Sequence, residues 1–255
     1  MGRRVTVGVS LKMYFGHAQT LDYASAVADI ARRSDAVQAG DVELFVLPSF
    51  PSLAPALDRV DATRVRLGAQ DLHQENRGAF TGEVSGAELA EMGVELAAVG
   101  HAERRRLFGE TDDIVRAKTA AALRSGLVPV LCVGETDSVS VDEAVAAVTA
   151  QLDSALDGAP AGRVIVAYEP VWAIGAAEPA SADHIRGVCS ALRELVAGWG
   201  GHPDSSVIYG GSAGPGLLSL LGETTDGIFL GRFAHDPAAL EDVVNEAAAL
   251  AKASA

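Results

Sequence analysis

The stretch VIVAYEPVWAIG, residues 164–175, opens on an unbroken apolar run, then carries a carboxylate and a proline, and ends on Val-Trp-Ala-Ile-Gly. A run with no polar alternation has no face to give to water. It reads as a strand covered on both sides, as in a parallel sheet sheathed by helices. Its carboxylate, Glu169, stands where that strand leaves the core.

Working outward, the same kind of run recurs between turn residues: VTVGVS from Val5, VELFVLP from Val42, RVRLGAQ from Arg64, LAAVG from Leu96, LVPVLCVG from Leu127, SVIYGGS from Ser206 and GIFLG from Gly227. Between most of them lie Ala-, Glu- and Arg-rich segments with helical spacing, such as LDYASAVADIARR and VDEAVAAVTAQLDSAL. Buried strands alternating with helices imply parallel βαβ units and an α/β fold. A closed (β/α)8 barrel and an open doubly wound sheet both satisfy that alternation, so periodicity alone leaves closure open. The 255 residues fit one barrel domain spanning 1–255, since such domains run to roughly 250 residues.

Composition narrows the function. Hydrophobic residues make up 49% of the chain, enough for a large core. No apolar run reaches the roughly 18 residues of a membrane span, so no membrane partner is expected. The net charge of −14 disfavours nucleic acid and anionic membranes, both of which need a basic surface. An anionic ligand would be attracted only by a few local groups working against the global field. Cys132 and Cys189 show no spacing suited to a disulfide framework or a metal site, so a reducing, cytoplasmic setting without a metal is expected. The opening MGRRVTVGVSLKMYF carries two arginines but lacks a long apolar region and a cleavage site, and reads as a first strand.

The strand ends carry the chemistry. Glu169 has two readings: a general base whose pKa is raised by partial burial, or a carboxylate paired with a nearby Arg or Lys. The segment after it favours the first, because Pro170 and Trp172 suit a stiff hinge. Val171, Ala173, Ile174, Gly175 and Ala176 continue it to a small-residue tip able to close over a ligand. His101 ends the fourth run and opens the AERRRLF segment. A helix N-terminus there would keep the imidazole neutral, with an N–H able to polarise a carbonyl; a structural histidine is the alternative. Lys12 follows the first strand as a candidate anchor for phosphate or a developing oxyanion, with Glu103 as the partner that would hold it; a solvated lysine is the plain alternative. Gly210-Gly211-Ser212 and Gly231-Arg232 end the last two runs, where barrels of this architecture commonly hold phosphate.

These segments, in order, resemble the triosephosphate isomerase family over essentially the whole chain: LKM (11–13), GAFTGEVS (78–85), VGHAERR (99–105), CVGE (132–135), AYEPVWAIG (167–175) and YGGS (209–212). The resemblance implies a TIM barrel of eight parallel strands with surrounding helices. It also implies an enzyme without a cofactor, in which Lys12 stabilises charge, His101 polarises the carbonyl and Glu169 moves a proton through an enediolate. That enzyme is itself a standard example of a Glu base working with a neutral His. The GAFTGE segment implies a homodimer docked through the Gly78 to Glu83 loop.

Departures from the family pattern gather around the substrate. Ser10 replaces its asparagine, Leu11 its tryptophan and Ala102 its serine after the histidine. The closing-loop end reads Gly175-Ala176-Ala177-Glu178-Pro179-Ala180, Gly231-Arg232 replaces Gly-Gly, and Gly214 replaces an asparagine. Ser10 and Ala102 remove volume near the reacting carbons, which suits a sugar one hydroxymethyl group longer than a triose. Ser10 and Arg232 also resemble the branch of the family that handles erythrulose phosphates. The leading expectation is therefore isomerisation of L-erythrulose 1-phosphate to D-erythrulose 4-phosphate. The alternatives are interconversion of dihydroxyacetone phosphate and glyceraldehyde 3-phosphate, and a non-catalytic barrel that binds phosphorylated ligands.

Overall fold

The computed structural model describes residues 3–175 and 180–253. Eight parallel strands form a closed barrel in sequence order: β1 (Val5–Ser10), β2 (Val42–Leu47), β3 (Val65–Ala69), β4 (Leu96–Val99), β5 (Val128–Val133), β6 (Ile165–Tyr168), β7 (Ser206–Tyr209) and β8 (Gly227–Leu230). The question that periodicity left open is settled by β8 pairing with β1, Thr6 opposite Gly227 and Val9 opposite Leu230. Each strand begins within one residue of the corresponding apolar run.

Around the barrel lie α1 (His17–Arg33), α2 (Asp35–Ala39), α3 (Phe50–Val60), α4 (Gly86–Glu91), α5 (Ala102–Phe108), α6 (Asp112–Arg124), α7 (Val141–Leu156), α8 (Ala182–Ala197), α9 (Leu217–Leu221) and α10 (Pro237–Ala253). Several start on a side-chain cap; Ser140 and Glu143 form a reciprocal capping box at α7, which satisfies amide groups the helix cannot bond itself. None of the described helices is long and apolar enough to cross a membrane.

Strand alternation splits the core in two. Phe45, Leu47, Leu96, Ala98, Val130, Cys132, Ile165, Ala167, Ile208 and Phe229 fill the barrel interior. The residues on the opposite strand faces, such as Leu44, Val46 and Leu131, pack against the helices. Phe45 reaches the centre only because β1 carries glycine at position 8: a Cβ there would overlap the Phe45 ring. The interior is thus packed solid, and the open space lies at the carboxyl ends of the strands.

Candidate active site

The ends of β1, β4, β6, β7 and β8 surround a cavity of about 390 Å³. Ser10, Lys12, His101, Ala102, Glu103, Glu169, Val171, Ile174, Gly175, Gly210, Gly211, Ser212, Gly231 and Arg232 all line it. Pro170, Trp172 and Ala173 stand outside it as supports, and Ala176 lies outside the described residues. Tyr14, Arg106 and Phe233 line it as well, although no sequence signal marked them.

Lys12 is held in a left-handed backbone conformation, φ 47°, which an L-residue adopts only at a cost of about 1–2 kcal/mol. Surrounding contacts sustain it. Its Nζ donates to Glu103 Oε1 at 2.7 Å, the partnership expected from sequence, and its carbonyl accepts from Gln70 Nε2 at 2.8 Å. Burial alone would raise the Glu103 carboxyl, but the hydrogen bond and charge of Lys12 outweigh it and hold it below the usual range.

His101 is the N-cap of α5. Its Nδ1 accepts the backbone N–H of Glu103 at 3.1 Å, which requires a lone pair there and puts the proton of a neutral ring on Nε2. That Nε2 lies 3.7 Å from Glu169 Oε2, too far for a direct hydrogen bond, so the two groups face one another across a gap. The geometry presents one N–H donor and one proton acceptor to anything bound between them.

Glu169 is buried, and its Oε2 has no hydrogen-bond partner. Burial drives its pKa up, and the neighbouring His101, Lys12 and Cys132 only partly offset this. Burial, with the nearby Glu169 charge, pushes the Cys132 thiol well up, so the thiol keeps the proton it donates. Gly210, marked from sequence for anion binding, has a second reason to be glycine: a Cβ there would lie 2.8 Å from the Glu169 Cγ.

The segment after Glu169 makes a single 3-10 turn, Val171–Ala173. Trp172 Nε1 donates to Glu135 Oε1 at 2.8 Å, the Tyr168 hydroxyl donates to the same oxygen at 3.0 Å, and His184 Nε2 lies 3.2 Å away. The Ser212 hydroxyl donates to the Ala173 carbonyl at 3.1 Å. The hinge is therefore tied to both neighbouring strand ends. Glu135 was visible in sequence only as the end of the CVGE segment.

The departures have local explanations. Ser10 Oγ accepts the Lys12 N–H at 3.3 Å, leaving its hydroxyl proton for another partner. Gly214 leaves room for the Phe233 ring, to which a Cβ at 214 would approach within 3.1 Å. Arg232 is exposed on the cavity side, its guanidinium over the Tyr14 ring at 5.5 Å from the centroid.

The family model of triosephosphate isomerase matches residues 5–247. An L-erythrulose-1-phosphate isomerase of Pectobacterium atrosepticum is 52% identical over 249 residues, covering 96% of each chain. Another protein of that name, from Mesorhizobium japonicum, is 39% identical, covering 95% of this chain and 97% of its own. A triosephosphate isomerase of Synechococcus sp. is 34% identical with the same coverage. The crystal structure of triosephosphate isomerase from Bartonella henselae superposes with a TM-score of 0.80 at 28% identity, over 95% of this chain and 98% of its own.

Proposed function

Since the chain belongs to the triosephosphate isomerase family and is a sugar-phosphate isomerase, we propose that its substrate is L-erythrulose 1-phosphate and its product D-erythrulose 4-phosphate. The observation that carries this choice is that Ser10 and Ala102, which the family resemblance sets against an asparagine and a serine, both line the cavity. The 52% identity to a protein named for that substrate, against 34% to a triosephosphate isomerase, supports it.

In this reading the Glu169 carboxylate removes the proton from C3 of the tetrulose. The electron pair of that C–H bond forms the C2=C3 bond of an enediolate, and the charge moves to O2. The Nε2–H of His101 and the Lys12 ammonium stabilise that oxygen, and no cofactor takes part. His101 relays a proton between O2 and O3, and Glu169 returns its proton to C2. The carbonyl thereby moves to C3, which renumbers the sugar as a 4-phosphate. Atoms and electrons balance within the sugar.

The test compares kcat/KM for L-erythrulose 1-phosphate and dihydroxyacetone phosphate on the purified protein. One well-fitted hydroxymethyl group is worth roughly tenfold or more in that ratio. A preference for the triose overturns the substrate assignment. No isomerisation of either sugar would favour a barrel that only binds phosphorylated ligands. We further infer a homodimer through the Gly78 to Glu83 loop, supported by Phe80, whose ring stacks on His73 at 4.1 Å while staying 43% exposed. Sedimentation of the unmodified chain as a monomer at micromolar concentration contradicts that assembly.

A further inference from the structure

A tetrulose phosphate exceeds a triose phosphate by one hydroxymethyl group, and the proton transfer gives that group no partner. In L-erythrulose 1-phosphate the reacting carbons, C2 and C3, sit between Glu169 and His101 in the reaction above. The phosphate hangs from C1, and barrels of this architecture hold phosphate at the ends of the last two strands. C4 is at the other end of the sugar. In the closed order of eight strands, β4 stands across the barrel from β8, so C4 faces the wall built by α5, the helix that follows β4.

That wall has a particular make-up. Ala102 and Arg106 are four residues apart on α5, hence on one face of it, and both line the cavity. Ala102 adds only a methyl group, which leaves the longer side chain one turn on unscreened. The neighbouring Arg104 and Arg105 are engaged by Asp71, Glu110 and Asp112. Among the described residues Arg106 forms no ion pair. Arg232, the other arginine of the lining, lies over the Tyr14 ring on the β8 side. Glu103 also lines the cavity; its Oε1 accepts from Lys12, whereas its Oε2 is 3.8 Å from His101 Nδ1, beyond hydrogen-bond reach. Burial would raise the Glu103 carboxyl, and the charge of Arg106 adds to the stronger effect of Lys12 in holding it down, so the two α5 residues are close in space.

We propose that Arg106 and Glu103 form the subsite for the terminal hydroxyl of a four-carbon substrate, with an Arg106 N–H donating to O4 and O4–H donating to Glu103 Oε2. A guanidinium only donates and a carboxylate only accepts, and one hydroxyl does both. A triose phosphate has no oxygen to place there. Arg106 is in this sense a specificity residue: it touches the part of the substrate that separates the two sugars and none of the atoms that exchange protons. The inference rests on the tetrulose reading of the cavity and adds to it the group that recognises the fourth carbon.

The test measures kcat/KM of the purified full chain and of Arg106→Met and Arg106→Lys on three substrates: L-erythrulose 1-phosphate, its 4-deoxy analogue and dihydroxyacetone phosphate. Loss of a positive charge near the cavity slows capture of all three anions alike, so the readout is the ratio between substrates. Arg106→Met should lower the ratio of tetrulose to 4-deoxy analogue, and of tetrulose to triose, by about tenfold or more, the usual worth of a hydrogen bond to a charged group. Arg106→Lys, which keeps a donor and the charge, should lose less. Ratios unchanged in Arg106→Met overturn the subsite, whether the absolute rates stay the same or fall together, since a fall common to all three substrates means that Arg106 acts through its charge or through Glu103 and Lys12. An unmodified protein that prefers the triose overturns the tetrulose assignment; the fall in the ratio of tetrulose to 4-deoxy analogue then decides the subsite by itself.

Discussion

Glu169 shows how far single residues can be read. Its place at a strand end and its chemistry were legible, because an apolar run that stops on a carboxylate is a local pattern. The balance behind its raised pKa was only partly so: burial could be foreseen, but the offsetting groups, His101, Lys12 and Cys132, are brought beside it by other strands. A base must be ionised to act, so a raised pKa means that activity falls, as pH drops, at a point above the ordinary carboxylate value of about 4.3. The kcat/KM profile should show this acid limb, and a limb at or below that value would contradict the burial argument. Keeping the charge in the core also costs stability at neutral pH, because a carboxyl whose folded pKa exceeds its unfolded one disfavours folding once ionised. Glu169→Gln should therefore lower kcat by about 10² to 10⁴-fold while raising Tm. A variant that loses activity and stability together would mean that the carboxylate is structural.

At the scale of elements, strands were found within a residue or so, whereas the supports beneath the site were hidden. The first turn of α5 carries His101 and Glu103, and the helix is short. It is secured from below: Arg104 pairs with Asp71 at 2.8 Å and with Glu110 at 2.5 Å, and Lys118 of α6 bonds Asp71 at 2.7 Å and Glu110 at 2.6 Å. These charges are spread from position 71 to 118, and nothing in local spacing joins them. The same holds for Trp172, whose hinge role follows from the loop's composition while its acceptor, Glu135, lies on the neighbouring strand's end. Removing one partner of a buried ion cluster typically costs about 3–5 kcal/mol, since the others stay desolvated. Lys118→Met should lower the stability found by urea unfolding by that amount. It should also reduce kcat/KM through disorder of α5, although Lys118 is absent from the cavity lining. A loss below about 1 kcal/mol would show that Arg104 alone neutralises the pair of carboxylates.

For the whole molecule, alternation of strands and helices established the class and left closure undetermined; family likeness, and then the β1–β8 ladder, decided it. Closure creates two ends with different physical roles. At the carboxyl end, charges are left partly unpaired around a cavity. At the amino end of β2, Glu43 is fully engaged: it bonds Arg163 through two nitrogens, one at 2.7 Å, as well as Arg66, and it accepts from Thr6 at 3.2 Å. Burial alone would raise the Glu43 pKa, but the hydrogen bonds and charges of Arg163 and then Arg66 prevail and bring it to about 2. A carboxyl lowered on folding stabilises above its unfolded pKa and loses that contribution as pH falls toward the folded one. The window thus runs from about pH 4.5 down to about 2, and the contribution above it is about 3 kcal/mol. Urea unfolding of the unmodified chain and of Glu43→Gln should differ most at neutral pH and converge through that window. A gap that stays constant as the pH is lowered would show that Glu43 acts through packing and not through its charge.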